Sequence, residues 1–182
     1  MDWAIKYNKK YETLEDYKLR ANLFIESLKL VEEQNKKDVS LKFGLNHMSD
    51  WLPEEFEATL GLKDQVIFDL PDKLFYGSPK ADSIDWRDVK DVVAPVKDQG
   101  MCGSCWAFSS ISAIESAYVI AGNEQVIMSE QELVDCSRGL LSNHGCNGGF
   151  YYYAYNWLKH NKTMREEDYA YVSGQTRDET EC

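Results

Sequence analysis

The sequence has no cysteine in its first 101 residues, although five (Cys102, Cys105, Cys136, Cys146 and Cys182) occur in the rest of its 182. That absence excludes a disulfide framework from the first half, so the two regions should be stabilised in different ways. Positive charge is also scarce: 20 Lys+Arg stand against 31 Asp+Glu, for a net charge of −11. The deficit is concentrated late, with 12 basic and 15 acidic side chains in residues 1–80 but 8 and 16 in residues 81–182. A nucleic-acid partner needs a basic footprint, so none is expected. No apolar run reaches the roughly 18 residues of a membrane-spanning helix, so no membrane partner is expected either. Met1–Tyr11 includes Asp2, Lys6, Lys9 and Lys10 and no apolar stretch, which argues against a signal peptide in these residues. Hydrophobic residues at 43% and charged residues at 28% exclude wholesale disorder. Five cysteines is an odd number, which in an oxidising compartment means pairs plus one free thiol.

What is present in the first half reads as helix. Leu14, Tyr17, Ala21, Phe24, Leu28 and Val31 recur at spacings of three and four, an apolar face at helical period. Thr13 supplies an N-cap, with Thr13-Leu14-Glu15-Asp16 as a variant capping box, and the spacing predicts a helix from about Leu14 to Asn35. Trp3, Tyr7 and Tyr11, spaced by four, predict a shorter helix against it. Alternation at Leu41, Phe43 and Leu45 predicts a short strand. Pro53 starts a third helix that should stop at Gly61. The expected organisation is a helical domain over residues 1–62, an extended linker over 63–80 broken by Pro71, Gly77 and Pro79, and a cysteine-bearing domain over 81–182. Such a linker is a natural place for proteolysis.

The chemistry lies in Gln99-Gly100-Met101-Cys102-Gly103-Ser104-Cys105-Trp106-Ala107-Phe108. Gly100 and Gly103 hold off helix formation. Phe108, Ile111, Ile114 and Tyr118 then share a helical face that Gly122 ends. Cys105 falls in the first turn, where unsatisfied N–H groups and the helix dipole favour an anion. For cysteine that anion is the nucleophilic thiolate. Three other readings stand beside this one. Cys105 could be a small buried hydrophobe. Cys102-Gly-Ser-Cys105 fits a redox Cys-x-x-Cys, although the polar, broken Ala94–Gly100 lacks the expected upstream strand. Cys102, Cys105, Cys136, His144 and Cys146 could ligate zinc, although the second group lacks the usual spacing.

The Gln99–Phe108 stretch resembles the papain-like cysteine proteases of the cathepsin L type. Asp85-Trp86-Arg87 followed by Pro95–Gly100 is similar to the start of the mature enzyme. Ser129–Cys136 resembles the family's next helix, and on its residues alone is a capping box with Glu132 three after Ser129. Gly145-Cys146-Asn147-Gly148-Gly149 resembles the stretch lining the substrate cleft, and Tyr169-Ala170-Tyr171 resembles a Tyr-Pro-Tyr with alanine for proline. In the first half, Asp16, Arg20, Phe24, Ser27, Val31 and Asn35 fit the ERFNIN spacing of cathepsin L-type propeptides, with Asp16, Ser27 and Val31 departing from the usual Glu, Asn and Ile. Gly44, Asn46, Met48 and Asp50 fit the GNFD pattern, with Met48 for Phe.

The resemblance implies a mostly α chain: a small helical propeptide domain plus the helical half of a papain-like α+β fold, without most of the β-barrel half. It implies a thiol endopeptidase precursor inhibited by its own propeptide, acting on peptide or protein substrates, with no cofactor and no metal. Cys105 would be the nucleophile, and Gln99 with the Cys105 N–H the oxyanion donors. Gly103, Ser104, Trp106, Gly148, Gly149, Phe150, Tyr151 and Ala154 would lie at the substrate cleft, although Trp106 and the aromatic run Phe150–Trp157 read rather as packing residues, with Tyr151 evenly balanced. Cys102 would pair with Cys146 and Cys136 with Cys182, placing the protein in a lysosomal or secreted compartment. The sequon Asn161-Lys162-Thr163 agrees, weakly. The histidine base and its asparagine are expected about 130–150 residues after Cys105, beyond Cys182. His47 lies inside the GNFD-like stretch, and His144 and His160 match no family base. The chain alone is therefore expected to be inactive. The alternative is a non-catalytic, propeptide-type inhibitor or decoy of related proteases.

Overall fold

The computed structural model describes residues 2–37, 40–62, 82–139 and 142–182. The chain divides into two compact units, Met1–Glu57 and Ala58–Cys182. The expected linker at 63–80 lies outside the described residues. Residues 58–62, read from sequence as the end of the helical domain, fall in the second unit.

The first unit holds α1 (Asp2–Lys6), α2 (Leu14–Lys37) and α3 (Pro53–Glu57). The α2 helix starts where its periodicity predicts, and Thr13 Oγ1 accepts the Asp16 N–H at 3.1 Å. Helix α1 is shorter than the Trp3–Tyr7–Tyr11 spacing suggests. Asn8 adopts a left-handed φ of 47°, which breaks the helix, and Tyr11 instead donates its hydroxyl to Asp50 Oδ2 at 3.0 Å. The expected strand at 41–45 does not form either. The Phe43 peptide is held by one side chain, with Asn35 Oδ1 accepting its N–H at 2.8 Å and Asn35 Nδ2 donating to its carbonyl at 3.0 Å. Helix α3 ends at Glu57 rather than at Gly61.

The buried residues described in this unit are the polar Ser49 and Asp50. Its organising interactions are accordingly charged. Arg20 pairs with both carboxylate oxygens of Glu55, donates to the Asp50 carbonyl at 3.1 Å and reaches Asp16 at 3.3 Å. Lys9 pairs with Asp50. Phe24 stacks on Trp3 with ring centroids 4.5 Å apart. Asn46 is bound through its carbonyl by Trp3 Nε1 at 3.0 Å. The propeptide-pattern residues Arg20, Phe24, Asn35, Asn46 and Asp50 thus all make contacts that organise the unit, while the exposed Gly44 borders no atom that a side chain would meet.

The second unit is built on α4 (Cys105–Ile120), packed against α5 (Glu130–Cys136) and α6 (Tyr151–Leu158), with a short α7 (Ser173–Thr176). Trp106, Ala107, Ile111, Met128, Leu133, Val134 and Ala154 form the core. Gly122, just past α4, takes a φ of 94° that favours glycine. Ser129 Oγ caps α5 by accepting the Glu132 N–H at 3.0 Å. The reciprocal arm of the capping box is absent, because Glu132 accepts instead from Thr163 Oγ1 and the Met164 N–H at 3.0 and 2.7 Å. Extended pairing among the described residues is limited to isolated bridges such as Met128 with Arg165.

Candidate active site

Cys105 is the first residue of α4, half-buried, and the one cysteine outside a disulfide. Its backbone N–H, at a helix start, has no intrahelical acceptor. Two bonds join the chain before it to the glycine-rich stretch beyond α5: the Cys102–Cys146 disulfide and Gly103 N–H donating to the Cys146 carbonyl at 3.0 Å. A Cβ at Gly103 would come within 2.5 Å of that carbonyl, so the approach requires glycine. The Cys136–Cys182 disulfide closes the segment after α7 back onto α5.

Gln99 is bonded to the loop that leads into α4. Its Nε2 donates to the Cys102 carbonyl at 2.8 Å and to the Thr59 carbonyl at 2.9 Å. Thr59 belongs to a short stretch that continues along the same face. Gly149 N–H donates to the Gly61 carbonyl at 2.8 Å, and Leu62 pairs with Gly149 in a parallel bridge. A side chain at Gly61 would place its Cβ 1.8 Å from the Gly103 carbonyl oxygen. The Thr59 carbonyl, Gly61 and the Leu62 backbone therefore lie against the Gln99 amide, Gly103 and Gly149.

Gly148 has a φ of 106°, and at Gly149 a Cβ would strike Asn143 Oδ1 at 2.4 Å and the Trp106 ring at 2.8 Å. Trp106 is buried with its Nε1 donating to the Gly145 carbonyl at 3.2 Å, so it supports the glycine stretch from beneath. Ala154 is in the core and Ser104 is fully buried. Phe150 is half-buried and Tyr151 exposed, their ring centroids 4.2 Å apart. Asn143, which the sequence did not single out, orders this corner. Its Oδ1 accepts the Phe150 N–H at 2.8 Å and its Nδ2 donates to Ser137 Oγ at 3.0 Å.

His144 and His160 are exposed and enter hydrogen bonds through their backbone N–H groups, to Gly148 and Trp157. His47 sits in the first unit between the Tyr7 and Trp51 rings. No cluster of His, Cys, Asp or Glu that could hold a metal occurs among the described residues. No described helix is long and apolar enough to cross a membrane. Sequence reasoning missed Thr59, read as helix, and Gly61, read as a helix stop. The contacts described above are made by their main-chain atoms and have no side-chain signature.

The family model described as "Papain family cysteine protease" matches residues 80–182, and that of the cathepsin propeptide inhibitor domain matches residues 1–56. The chain is 39% identical over 178 residues to a pro-cathepsin H of Medicago truncatula, covering 93% of this chain and 49% of that protein. It is 40% identical over 183 residues to the thiol protease aleurain of Arabidopsis thaliana, covering 96% and 48%. The solved structure of digestive procathepsin L 3 from the larval midgut of Tenebrio molitor superposes with a TM-score of 0.81 at 28% identity, covering all of this chain and 58% of that one. The chain spans about half the length of the curated relatives it matches. With a free cysteine opening the central helix, a glutamine amide bonded to the loop that leads into it and a propeptide model matched ahead of them, the chain belongs to the papain family of cysteine proteases.

Proposed function

We propose that the full-length protein is a cysteine endopeptidase zymogen, cutting peptide or protein substrates and silenced by its own propeptide. The Cys105 thiolate adds to the peptide carbonyl carbon, the C–N bond breaks as the amine leaves with a proton, and water hydrolyses the resulting thioester. Gln99 Nε2 and the Cys105 N–H bind the carbonyl oxygen as it gains charge. Gly148 and Gly149 offer backbone to an extended substrate, Gly103 and Ser104 shape the approach to the nucleophile, Trp106 and Ala154 floor the cleft, and Phe150 with Tyr151 borders a pocket for an apolar or aromatic side chain. The thiol needs a histidine base oriented by an asparagine. Since His144 and His160 make no hydrogen bond to Cys105 among the described residues, we assign the base to the part of the full-length protein outside residues 1–182. Two disulfides suit a lysosomal or secreted protein. No partner of nucleic acid or membrane is invoked.

The observation that carries the autoinhibited reading is the Gln99 amide donating to the Thr59 carbonyl. A peptide carbonyl of the chain itself occupies the donor meant for the substrate, and the parallel pairing of Leu62 with Gly149 fixes the direction in which that segment runs. The test is turnover of a dipeptidyl fluorogenic substrate. Full-length protein should be inactive until its propeptide is removed, then active, and Cys105→Ala should abolish turnover. Residues 1–182 alone should be inactive. Turnover by processed Cys105→Ala protein would overturn the assignment.

A further inference from the structure

Two oxyanion donors six positions apart, the Gln99 amide and the Cys105 N–H, must keep a fixed separation to act on one oxygen. The loop between them contains Gly100, at a φ of 58°, and Gly103, so it is not rigid by itself. A side chain from much later in the chain spans it. The Tyr171 hydroxyl donates to the Gln99 carbonyl at 2.8 Å and lies 2.7 Å from Ser104 Oγ. With its own hydrogen committed to Gln99, Tyr171 accepts from Ser104. Ser104 belongs to the peptide unit that carries the Cys105 N–H, so one phenol oxygen links the residues behind both donors.

The strut has its own anchorage. The Tyr171 ring meets Phe108 edge-on with centroids 4.8 Å apart. The next two peptides are pinned to α5, where Gln131 Oε1 accepts the Val172 and Ser173 N–H groups at 2.9 and 3.0 Å. Met101 N–H donates to the Gly174 carbonyl at 2.9 Å. Gly100 and Gly174 meet so closely that a Cβ on Gly100 would lie 2.6 Å from the Gly174 oxygen. Burial pushes the Tyr171 hydroxyl up to about 12, so it remains a donor at any pH suited to assay.

We infer that Tyr171 is a positioning residue for the oxyanion site, its hydroxyl tying the Gln99 carbonyl to the Ser104 hydroxyl so that both donors converge on one point. This rests on the proposed peptidase reading, and the experiment separates the two. Processed full-length enzyme is compared with Gln99→Ala, Tyr171→Phe and the double variant, by kcat and KM on a peptide substrate and by thermal melting. Gln99→Ala should lower kcat by roughly a hundredfold or more. Tyr171→Phe keeps the ring on Phe108 and should lower kcat by roughly three- to tenfold with KM little changed. In the Gln99→Ala background the same change should have much less effect, because the donor it aligns is gone. A purely structural tyrosine would give the same loss in both backgrounds, which would overturn the inference. So would an unchanged kcat in Tyr171→Phe. If Gln99→Ala leaves kcat intact, the oxyanion assignment itself fails. Should Tyr171→Phe not fold, Ser104→Ala cuts one arm of the strut and should show the same dependence on Gln99. An equal loss with or without Gln99 would overturn the inference in that case too.

Discussion

Gly61 is where a single hydrogen atom matters most to the proposed inhibition. Its Cα approaches the Gly103 carbonyl so closely that a methyl group would sit 1.8 Å from the oxygen, and backbone on both sides leaves nothing flexible to yield. Gly61→Ala should therefore lift residues 59–62 off the cleft. Overpacking of this kind costs about 1–3 kcal/mol, or roughly tenfold in occupancy of the cleft. In the full-length zymogen, Cys105 should then react at least that much faster with a peptidyl epoxide. An unchanged labelling rate would mean that residues 59–62 do not guard the thiol. Leu62→Ala makes the useful contrast. Its side chain is 59% exposed and its part in the bridge is played by backbone, so labelling should scarcely change.

At the scale of the element, the caps of α2 and α5 share a chemistry and differ in setting. Thr13 is exposed, so water can replace its hydroxyl when it is removed. Ser129 is fully buried, and its Oγ both accepts the Glu132 N–H and donates to the Tyr169 carbonyl at 2.7 Å. Ser129→Ala should cost about 1–2 kcal/mol and Thr13→Ala about half a kcal/mol. Urea unfolding followed by separate probes of the two units would measure both, and equal costs would contradict the argument. These caps also mark where the sequence was informative. Helices α2 and α4 announce themselves because apolar residues recur at helical spacing for several turns, from the Thr13 cap in α2 and up to the Gly122 stop in α4. The expected strand at Leu41–Leu45 failed because its alternation carried no information about a partner, and Asn35 met its peptide groups instead. The α1 pattern failed because aromatic spacing cannot reveal that Asn8 turns left-handed. Of the proposed site, Cys105 was legible from its place at a helix start, and Gln99 only through the resemblance of its stretch to a known family. Thr59 and Gly61 were hidden because they act through main-chain groups that every residue possesses, and Tyr171 because its two bonds join residues separated by 72 and 67 positions.

Across the whole molecule the two units are stabilised differently, and that difference governs their response to pH. The second unit has a continuous apolar core and both disulfides, yet it also encloses a charged cluster. Lys97 Nζ donates to Glu115 Oε1 at 2.8 Å and Glu130 Oε1 at 2.6 Å, which ties the segment before the active-site loop to α4 and α5. Glu115 Oε1 also accepts the Met128 N–H at 2.7 Å, while its Oε2 is buried without a partner. One cation thus faces two carboxylates whose side chains are each 1% exposed. Burial raises the Glu130 pKa above its ordinary value, and the Lys97 contacts only partly offset this. Burial also opposes the Lys97 charge, but the hydrogen bonds to Glu115 and Glu130 outweigh it and hold that pKa above the usual lysine value. The signs follow by linkage. The folded state binds the Glu130 proton more tightly than the unfolded chain does, so stability rises as pH falls through the folded pKa of Glu130. The Lys97 contribution is complete below the unfolded lysine value and is lost as pH rises through its higher folded pKa. Glu130→Gln should remove the acid-side gain. Lys97→Met leaves two buried carboxylates uncompensated and should cost about 3–5 kcal/mol at neutral pH, with the loss shrinking in acid as Glu130 takes up a proton. Melting temperatures of the full-length zymogen and the two variants across the acidic range would measure this. A Lys97→Met penalty that stays constant with pH would show that the cluster acts by packing alone. Acid thus neutralises a buried carboxylate whose charge burial disfavours.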